Sequence, residues 1–440
     1  MKQHITRSLD NDVPVLLMNY PDAETVAIGV SFNVGSRNEW QRGPQYNGIS
    51  HFLEHQFLNG DPARNLTAQT VKEKLDSLGG ESNAFTWKHI TCYFTKTLSS
   101  EVNEAIDLWE QLLNFGEISK EEFEKEAFVV RQEFKMKKID NTFFMLLTEL
   151  SKQLHKGTSL EMDVIGTEEA LSSVSMEEMR YYRSEHYELN NAVIMVLGNI
   201  NTAEVYQKLN ETFGQWTFDN EKPHYHLVEY QKPKISSLRV HRYSISSPLV
   251  FIGIGIKIPG AKSELYPSIE ILAALLNLGN TSLIQRYFVQ SGLAAYANCG
   301  TDIYEDVGEL TILIGTAPHL IDHANTAIFK VLHELLHLKI NEKILSQICD
   351  KIEYHRLRKL EDPLEVLRLQ AMAYWDLGEF LSEEEYITKL RDVTVEQFEK
   401  TQKVVLGELK GVYLLAGEIP SNFNPKFPKG MWKGNFVETE

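Results

Sequence analysis

The chain has 440 residues, of which 43% are hydrophobic and 24% charged, the balance of a soluble globular protein. This length exceeds one ordinary core and suits two or three domains. The formal net charge of −17 argues against nucleic acid as a partner, because binding to phosphates requires clustered Lys and Arg. A basic substrate would suit this charge, but solubility alone also explains it.

Cysteine content and hydropathy indicate the compartment. Cys92, Cys299 and Cys349 have no C-x-x-C spacing, so they support neither a disulfide framework nor a cysteine zinc site. The N-terminal residues contain no apolar signal segment, and no run approaches about 18 apolar residues. The sequence therefore predicts a cytoplasmic protein without a signal peptide or a membrane span.

The first half mixes strands and helices. Residues 26–34, VAIGVSFNV, alternate apolar with small or polar residues, as a half-buried strand does. Residues 101–115 and 118–138 place Leu and Phe at helical spacing among Glu and Lys. A second strand, AVIMVLGNI, is predicted at 192–200. The absence of a strict βαβ alternation favours the α+β class.

A polar segment with two prolines, residues 221–236, is the predicted linker. It separates an N-terminal domain, 1–220, from a C-terminal domain, 237–440. The second half repeats the elements of the first, with strands at 250–258 and 411–419 and helices at 321–339 and 341–360.

Two strand matches indicate that the halves arose by duplication. Setting Ile28 on Ile252 gives an offset of 224 residues, and setting Gly198 on Gly417 gives an offset of 219. Two separate matches at nearly one offset favour a duplication over coincidence.

Residues 51–55, HFLEH, read H-x-x-E-H. On a helix, His51 and His55 lie about 40° apart, so both rings can reach one metal. Glu54 lies about 60° to the other side of His51 and points toward the same space. Metal-assisted peptide hydrolysis needs these groups: two neutral nitrogen ligands, an open position for water and a carboxylate base.

A catalytic zinc usually takes a third protein ligand, which we expect from the first half. Glu126 and Glu133 are seven residues apart in the predicted helix 118–138, so they share a face. One could bind the metal while the other orients a ligand. Taken alone, either glutamate is more typical of a solvated helix face.

Several ordered motifs carry a family resemblance. HFLEH is followed by Gly79-Gly80, by Asn83-Ala84-Phe85-Thr86 and by Tyr93, and 77 residues separate His55 from Glu133. This pattern resembles the M16 (pitrilysin-like, inverzincin) metallopeptidases, especially the two-domain members related to mitochondrial processing peptidase. The separation is one residue longer than the family's commonest spacing. The resemblance continues through residues 164–200 and, more weakly, into the second half.

The resemblance implies a role for each residue of the centre. His51, His55 and Glu133 would bind one zinc ion per chain. Glu54 would be the general base that activates the zinc-bound water, and Glu126 would support the ligands from the second shell.

The resemblance also implies a substrate edge. Asn83, Ala84 and Phe85 would form an exposed strand edge that pairs with the substrate backbone. An ordinary turn and strand start after Gly79-Gly80 is the alternative.

The second half lacks the metal residues. Under the offset of 224, His51, Glu54 and His55 correspond to Leu275, Leu278 and Gly279, so a catalytic zinc belongs to the first half.

Residues 277–300 resemble the family's substrate-clasping segment, with one departure. Gly292-Leu293-Ala294 and Tyr296 match, although Tyr296 comes one residue late. Phe288 occupies the position expected to hold an arginine, and Arg286 is nearby but out of register. We predict that Tyr296 contacts the substrate, with a core aromatic as the alternative.

His333 to His337, HELLH, form a competing motif in the conventional zincin order. Their spacing could bind zinc equally well, with Glu353 as one candidate third ligand. No Gly-x-x-His follows, and the duplication places this helix on a packing surface. Two histidines on a surface or interhelical face are the alternative.

The sequence therefore predicts a zinc endopeptidase of two homologous α+β domains, each a mostly antiparallel sheet packed with helices. By resemblance, the domains would close like a clam shell over small or unfolded peptides. The chain would pair as a homodimer or with a related M16 subunit. A non-catalytic M16-like subunit that binds peptides for an active partner is the main alternative.

Overall fold

The computed structural model describes residues 3–57, 59–61, 66–113, 119–218, 222–223 and 225–438. These residues form two compact units, each built around a six-stranded sheet. No described helix combines the length and the hydropathy that crossing a bilayer requires.

The first unit contains the sheet of the N-terminal half. Its strands are β1 (Gln3–Ser8), β2 (Pro14–Asn19), β3 (Thr25–Phe32), β6 (Glu81–Thr86), β7 (Thr91–Leu98) and β8 (Ala192–Gly198), with a separate short ladder of β4 (Gly60–Asp61) and β5 (Leu66–Thr67). The strand order is β1-β2-β8-β3-β7-β6. Only the β2–β8 pair is parallel among these ladders. Strand β6 therefore lies at an edge of the described sheet.

The second unit repeats this arrangement. Its strands are β9 (Ser236–Tyr243), β10 (Val250–Pro259), β11 (Tyr296–Ile303), β12 (Val307–Thr316), β13 (Lys410–Ala416) and β14 (Gly434–Glu438). The order is β11-β12-β10-β13-β9-β14, in which β9 pairs in parallel with β13 and with β14. The other ladders are antiparallel.

Helices cover both sheets. Those of the N-terminal half are α1 (Ile49–Phe57), α2 (Ala68–Ser77), α3 (Val102–Leu113), α4 (Lys120–Lys135), α5 (Thr142–Leu154), α6 (Glu168–Ser173), α7 (Met176–His186) and α8 (Thr202–Thr212). Those of the C-terminal half are α9 (Tyr266–Asn277), α10 (Ile321–His337), α11 (Glu342–Lys359), α12 (Pro363–Leu377), α13 (Glu383–Arg391) and α14 (Val395–Val405).

The predicted α+β class and the two homologous domains are confirmed. The four strands that carried the duplication argument are β3, β8, β10 and β13, and they occupy matching places. In one sheet β3 lies between β8 and β7, and in the other β10 lies between β13 and β12. Helix α9 is the counterpart of α1 and carries Leu275 in place of a histidine. The clam-shell arrangement stays a prediction.

The compact units differ from the predicted contiguous domains, 1–220 and 237–440, by one helix each. The first unit includes residues 359–382, which contain α12, and the second includes residues 141–157, which contain α5. Each of these helices packs on a sheet face of the unit that it joins.

The repeated glycine of the strand pattern explains how these helices approach. A Cβ atom on Gly29 of β3 would lie 2.7 Å from Leu367 of α12. A Cβ atom on Gly253 of β10 would lie 3.3 Å from Leu150 of α5. The Ile-Gly-Val and Ile-Gly-Ile motifs therefore provide space for a helix against the centre of each sheet.

Candidate metal centre

Helix α1 is held in the core by its apolar face. Ile49, Phe52, Leu53 and Phe57 are at most 2% exposed. The ring of Phe57 stacks on that of Tyr93, with the centroids 3.8 Å apart. This packing fixes the helix that carries the H-x-x-E-H residues and limits its rotation about its own axis.

Three predicted ligands converge beside this helix. One ligand atom from each of His51, His55 and Glu133 lies within 4.8 Å of the others, and no other trio of His, Cys, Asp or Glu in the described ranges does so. His55 Nε2 lies 3.1 Å from Glu133 Oε2, and His51 Nε2 lies 3.7 Å from the same oxygen. Two imidazole nitrogens and a carboxylate oxygen fit zinc.

The protonation of His51 and His55 is set by their surroundings. Burial lowers the pKa of His51 to about 3, which makes it a neutral nitrogen donor. Burial also opposes protonation of His55, but hydrogen bonds to Glu126 and Glu133 outweigh it and raise its pKa to about 9. The His55 hydrogen bond, despite partial burial, lowers the pKa of Glu133 to about 2. The carboxylates that favour a positive charge on His55 would also favour a divalent cation, and binding of that cation would displace the His55 proton.

Glu126 contacts the far side of the His55 ring. Its Oε2 lies 3.5 Å from His55 Nδ1, whereas Glu133 faces Nε2. Metal-binding histidines commonly direct their second ring nitrogen to a carboxylate, which fixes the tautomer. The placement of Glu126 fits the supporting position that the resemblance implies.

Glu54 lies beside the trio but outside it. Thr86 Oγ1 donates a hydrogen bond of 2.5 Å to Glu54 Oε2. Burial raises the pKa of Glu54, while the Thr86 hydrogen bond opposes that shift. We did not predict this contact from the sequence, although Thr86 belongs to the Asn-Ala-Phe-Thr stretch. Thr86 limits the orientations open to the candidate base.

Replacing Thr86 by Val is expected to lower kcat about tenfold, because a hydrogen bond to a charged group contributes about 1.5–3 kcal/mol. Zinc content should stay at the wild-type level, since the Thr86 hydroxyl donates to Glu54 and is not a ligand of the trio. Thr95→Val is the matched control, because the Thr95 hydroxyl bonds Ser82 on the same sheet instead. Steady-state kinetics that give the Thr86→Val protein a wild-type kcat would contradict this role.

The predicted substrate edge lies on β6. Asn83, Ala84 and Phe85 pair with β7 on one side only in the described sheet. The contact between Thr86 and Glu54 joins the end of this strand to α1. An unpaired strand edge can accept a further strand. Pairing with a substrate backbone here stays a prediction.

The competing motif on α10 lacks a third ligand in the described part of the chain. The rings of His333 and His337 lie 4.1 Å apart. Glu334 is bound by Arg286 at 3.3 Å, and Glu353 is paired with an arginine of α13. These contacts favour two histidines on a helix face over a second catalytic centre.

The substrate-clasping segment departs from the family where the sequence indicated. Phe288 is fully buried, so it is a core residue and cannot replace a substrate-binding arginine. Arg286 is directed to Glu334 instead. Tyr296 is 39% exposed, and its ring lies 4.1 Å from that of Phe143. Tyr296 is therefore not a core aromatic, and its contact with substrate stays a prediction.

A two-domain α+β fold with a His-His-Glu group and a neighbouring carboxylate is typical of an inverted zinc peptidase. The family model "Insulinase (Peptidase family M16)" matches residues 14–168, and "Peptidase M16 inactive domain" matches residues 173–352. The chain belongs to peptidase family M16, with a second domain of the inactive type.

Individual relatives agree with this assignment. The chain is 29% identical over 418 residues to the uncharacterized zinc protease YmxG of Bacillus subtilis, covering 93% of this chain and 98% of that protein. It is 28% identical over 213 residues to a probable mitochondrial-processing peptidase subunit beta of Arabidopsis thaliana, covering 48% and 39%. The crystal structure of a protease from Helicobacter pylori shares the fold, with a TM-score of 0.84 at 22% identity, covering 94% and 100%.

Proposed function

We propose that this protein is a zinc-dependent endopeptidase that hydrolyses small or unfolded peptides. The observation that carries the proposal is the convergence of His51, His55 and Glu133. Glu54 lies next to His55 on helix α1. The names of the zinc protease relatives support zinc as the metal.

Each residue of the centre has a chemical task in this proposal. His51, His55 and Glu133 would hold one zinc ion. When bound, zinc polarises a peptide carbonyl and makes water acidic enough to attack near neutral pH. Glu54 accepts the proton of the attacking water and delivers it to the departing amine. Glu126 keeps the His55 ring oriented through Nδ1.

Substrate binding would use the edge of β6. A peptide added as a strand beside Asn83, Ala84 and Phe85 would bring its backbone toward α1, since Thr86 ends that strand against Glu54. Tyr296 would contact the peptide. The enclosed chamber implied by the resemblance would select substrates by size and flexibility. A homodimer or a pair with a related M16 subunit, and a cytoplasmic location, belong to the same proposal.

The proposal is tested by metal content and cleavage of a mixed peptide pool. Purified wild-type protein is expected to hold one zinc ion and to cleave peptides at internal bonds. A chelator should stop cleavage, and added zinc should restore it. His333→Ala is the control for the motif on α10, and it should keep both zinc and activity.

The outcomes separate the alternatives. Loss of zinc and activity in His333→Ala would assign catalysis to α10. A zinc-loaded wild type that cleaves no peptide, alone or mixed with a related M16 subunit, would favour the non-catalytic, peptide-binding alternative.

A further inference from the structure

Glu39 lies wholly inside the first unit and holds the start of α1. Its Oε1 accepts a hydrogen bond from Ser50 N at 2.9 Å. Its Oε2 accepts from Gly48 N at 2.8 Å and from Asn47 Nδ2 at 3.0 Å. The first N–H groups of a helix have no partner within the helix. Glu39 therefore fixes the first turn of the helix that carries the two histidines and the candidate base.

Asn47 extends this contact toward the third ligand. Its Nδ2 also donates to Asp163 O at 2.7 Å, and its Oδ1 accepts from Asp163 N at 3.3 Å. The Asp163 carboxylate in turn binds Lys138 Nζ. Lys138 belongs to the π-helical turn Met136–Asp140, which continues the helix that carries Glu133. A contact path therefore joins the start of α1 to the end of α4.

We propose that Glu39, Asn47, Asp163 and Lys138 form a positioning network that sets the distance between the two helices supplying the metal ligands. The histidines come from α1 and the glutamate from α4, so their convergence depends on a tertiary distance that neither helix fixes alone. The inference rests on the proposed zinc function of this centre. It adds residues outside the trio, which act through helix placement.

A role in folding alone is the alternative. Burial raises the pKa of Glu39 to about 7, although hydrogen bonds from Asn47, Ser50 and Gly48 oppose the shift. Burying a carboxylate carries a desolvation cost. Helices α2, α6, α7 and α8 are capped by their own Thr, Ser or Asn side chains, without a buried charge. A costly buried contact that holds the helix carrying two candidate metal ligands is typical of a functional constraint.

The test compares Glu39→Gln, Lys138→Met and the double variant in zinc affinity, measured by chelator competition. Each single change should weaken zinc binding about ten- to a hundredfold, the range for residues that orient metal ligands. The double variant should lose less than the product of the two effects, because both changes break one path. The Co²⁺-substituted proteins should show altered visible absorption bands, which a loss of stability alone would not produce.

Two controls isolate the network. Lys135→Met removes an exposed lysine from the same helix end. Glu309→Gln removes a buried carboxylate of the second unit, where it pairs with His155. Both should keep wild-type zinc affinity and Co²⁺ spectra. Wild-type affinity and spectra in folded Lys138→Met would overturn the inference, as would two single effects that multiply in the double variant.

Hydrogen exchange of the metal-free protein separates this inference from the proposed function. Glu39→Gln and Lys138→Met should both accelerate exchange at the amides of Gly48 and Ser50, whether or not the wild type takes up zinc. Unchanged exchange at both amides would refute the network. A wild type without zinc but with coupled exchange would refute only the zinc proposal.

Discussion

Glu54→Gln is expected to lower kcat for peptide cleavage roughly 10²- to 10⁴-fold, the contribution typical of a positioned general base. Glutamine keeps the size of the side chain, and its amide oxygen can still accept the Thr86 hydrogen bond. The variant loses only the ability to take a proton. Because Glu54 lies outside the ligand trio, zinc content should stay at the wild-type level.

The control for this change is Glu104→Gln on α3, which removes an exposed carboxylate in the same unit. It should cleave peptides at the wild-type rate. Single-turnover kinetics give the chemical step directly. A Glu54→Gln rate within tenfold of wild type would show that another group takes the proton.

Glu133→Ala is expected to produce the largest loss of metal. Zinc affinity should fall by more than about 100-fold, beyond the effect typical of residues that only orient ligands. The change removes a carboxylate that faces Nε2 of both His51 and His55. It also frees Lys137, which is paired with Glu133, and so leaves a cation near the centre. Chelator competition measures the affinity, and activity should fall in parallel.

Two further variants define what this result means. Glu124→Ala removes an exposed carboxylate from the same helix and should bind zinc as the wild type does. Glu126→Gln should weaken zinc only about tenfold, because Glu126 faces the far ring nitrogen of His55. Equal zinc affinity in Glu133→Ala and Glu124→Ala would remove Glu133 from the ligand set.

The sequence was most informative where the helical repeat alone determines how side chains are arranged. His51, Glu54 and His55 share one helix, so their relative directions follow from the helical repeat. The choice of Glu133 over Glu126 as ligand depended on the family resemblance, because both glutamates lie on one helix face. Only the fold shows that Glu133 faces Nε2 and Glu126 faces Nδ1 of the same ring.

The exchanged helices could not be predicted from local patterns. An apolar helix face looks the same whichever sheet it covers, so α5 and α12 were each expected within their own half. Gly29 and Gly253 carried the relevant signal, since a glycine inside a buried strand often marks a close approach. Their partners, Leu367 and Leu150, come from distant parts of the chain.

The motif at His333 and His337 shows the limit of spacing arguments. Two histidines four residues apart on a helix can reach one metal in either motif. Within the described residues, the two motifs differ in a third ligand from another helix, which α4 supplies to α1 and no element supplies to α10. The contact of Thr86 with Glu54 is likewise a tertiary feature that no spacing rule contains.

The most direct test of the central claim is a crystal structure of zinc-loaded Glu54→Gln with a bound peptide, using anomalous scattering at the zinc edge. The proposal predicts one zinc peak within bonding distance of His51, His55 and Glu133, with the peptide paired along β6. A zinc peak at His333 and His337, or a peptide bound away from β6 with no metal at the trio, would contradict it.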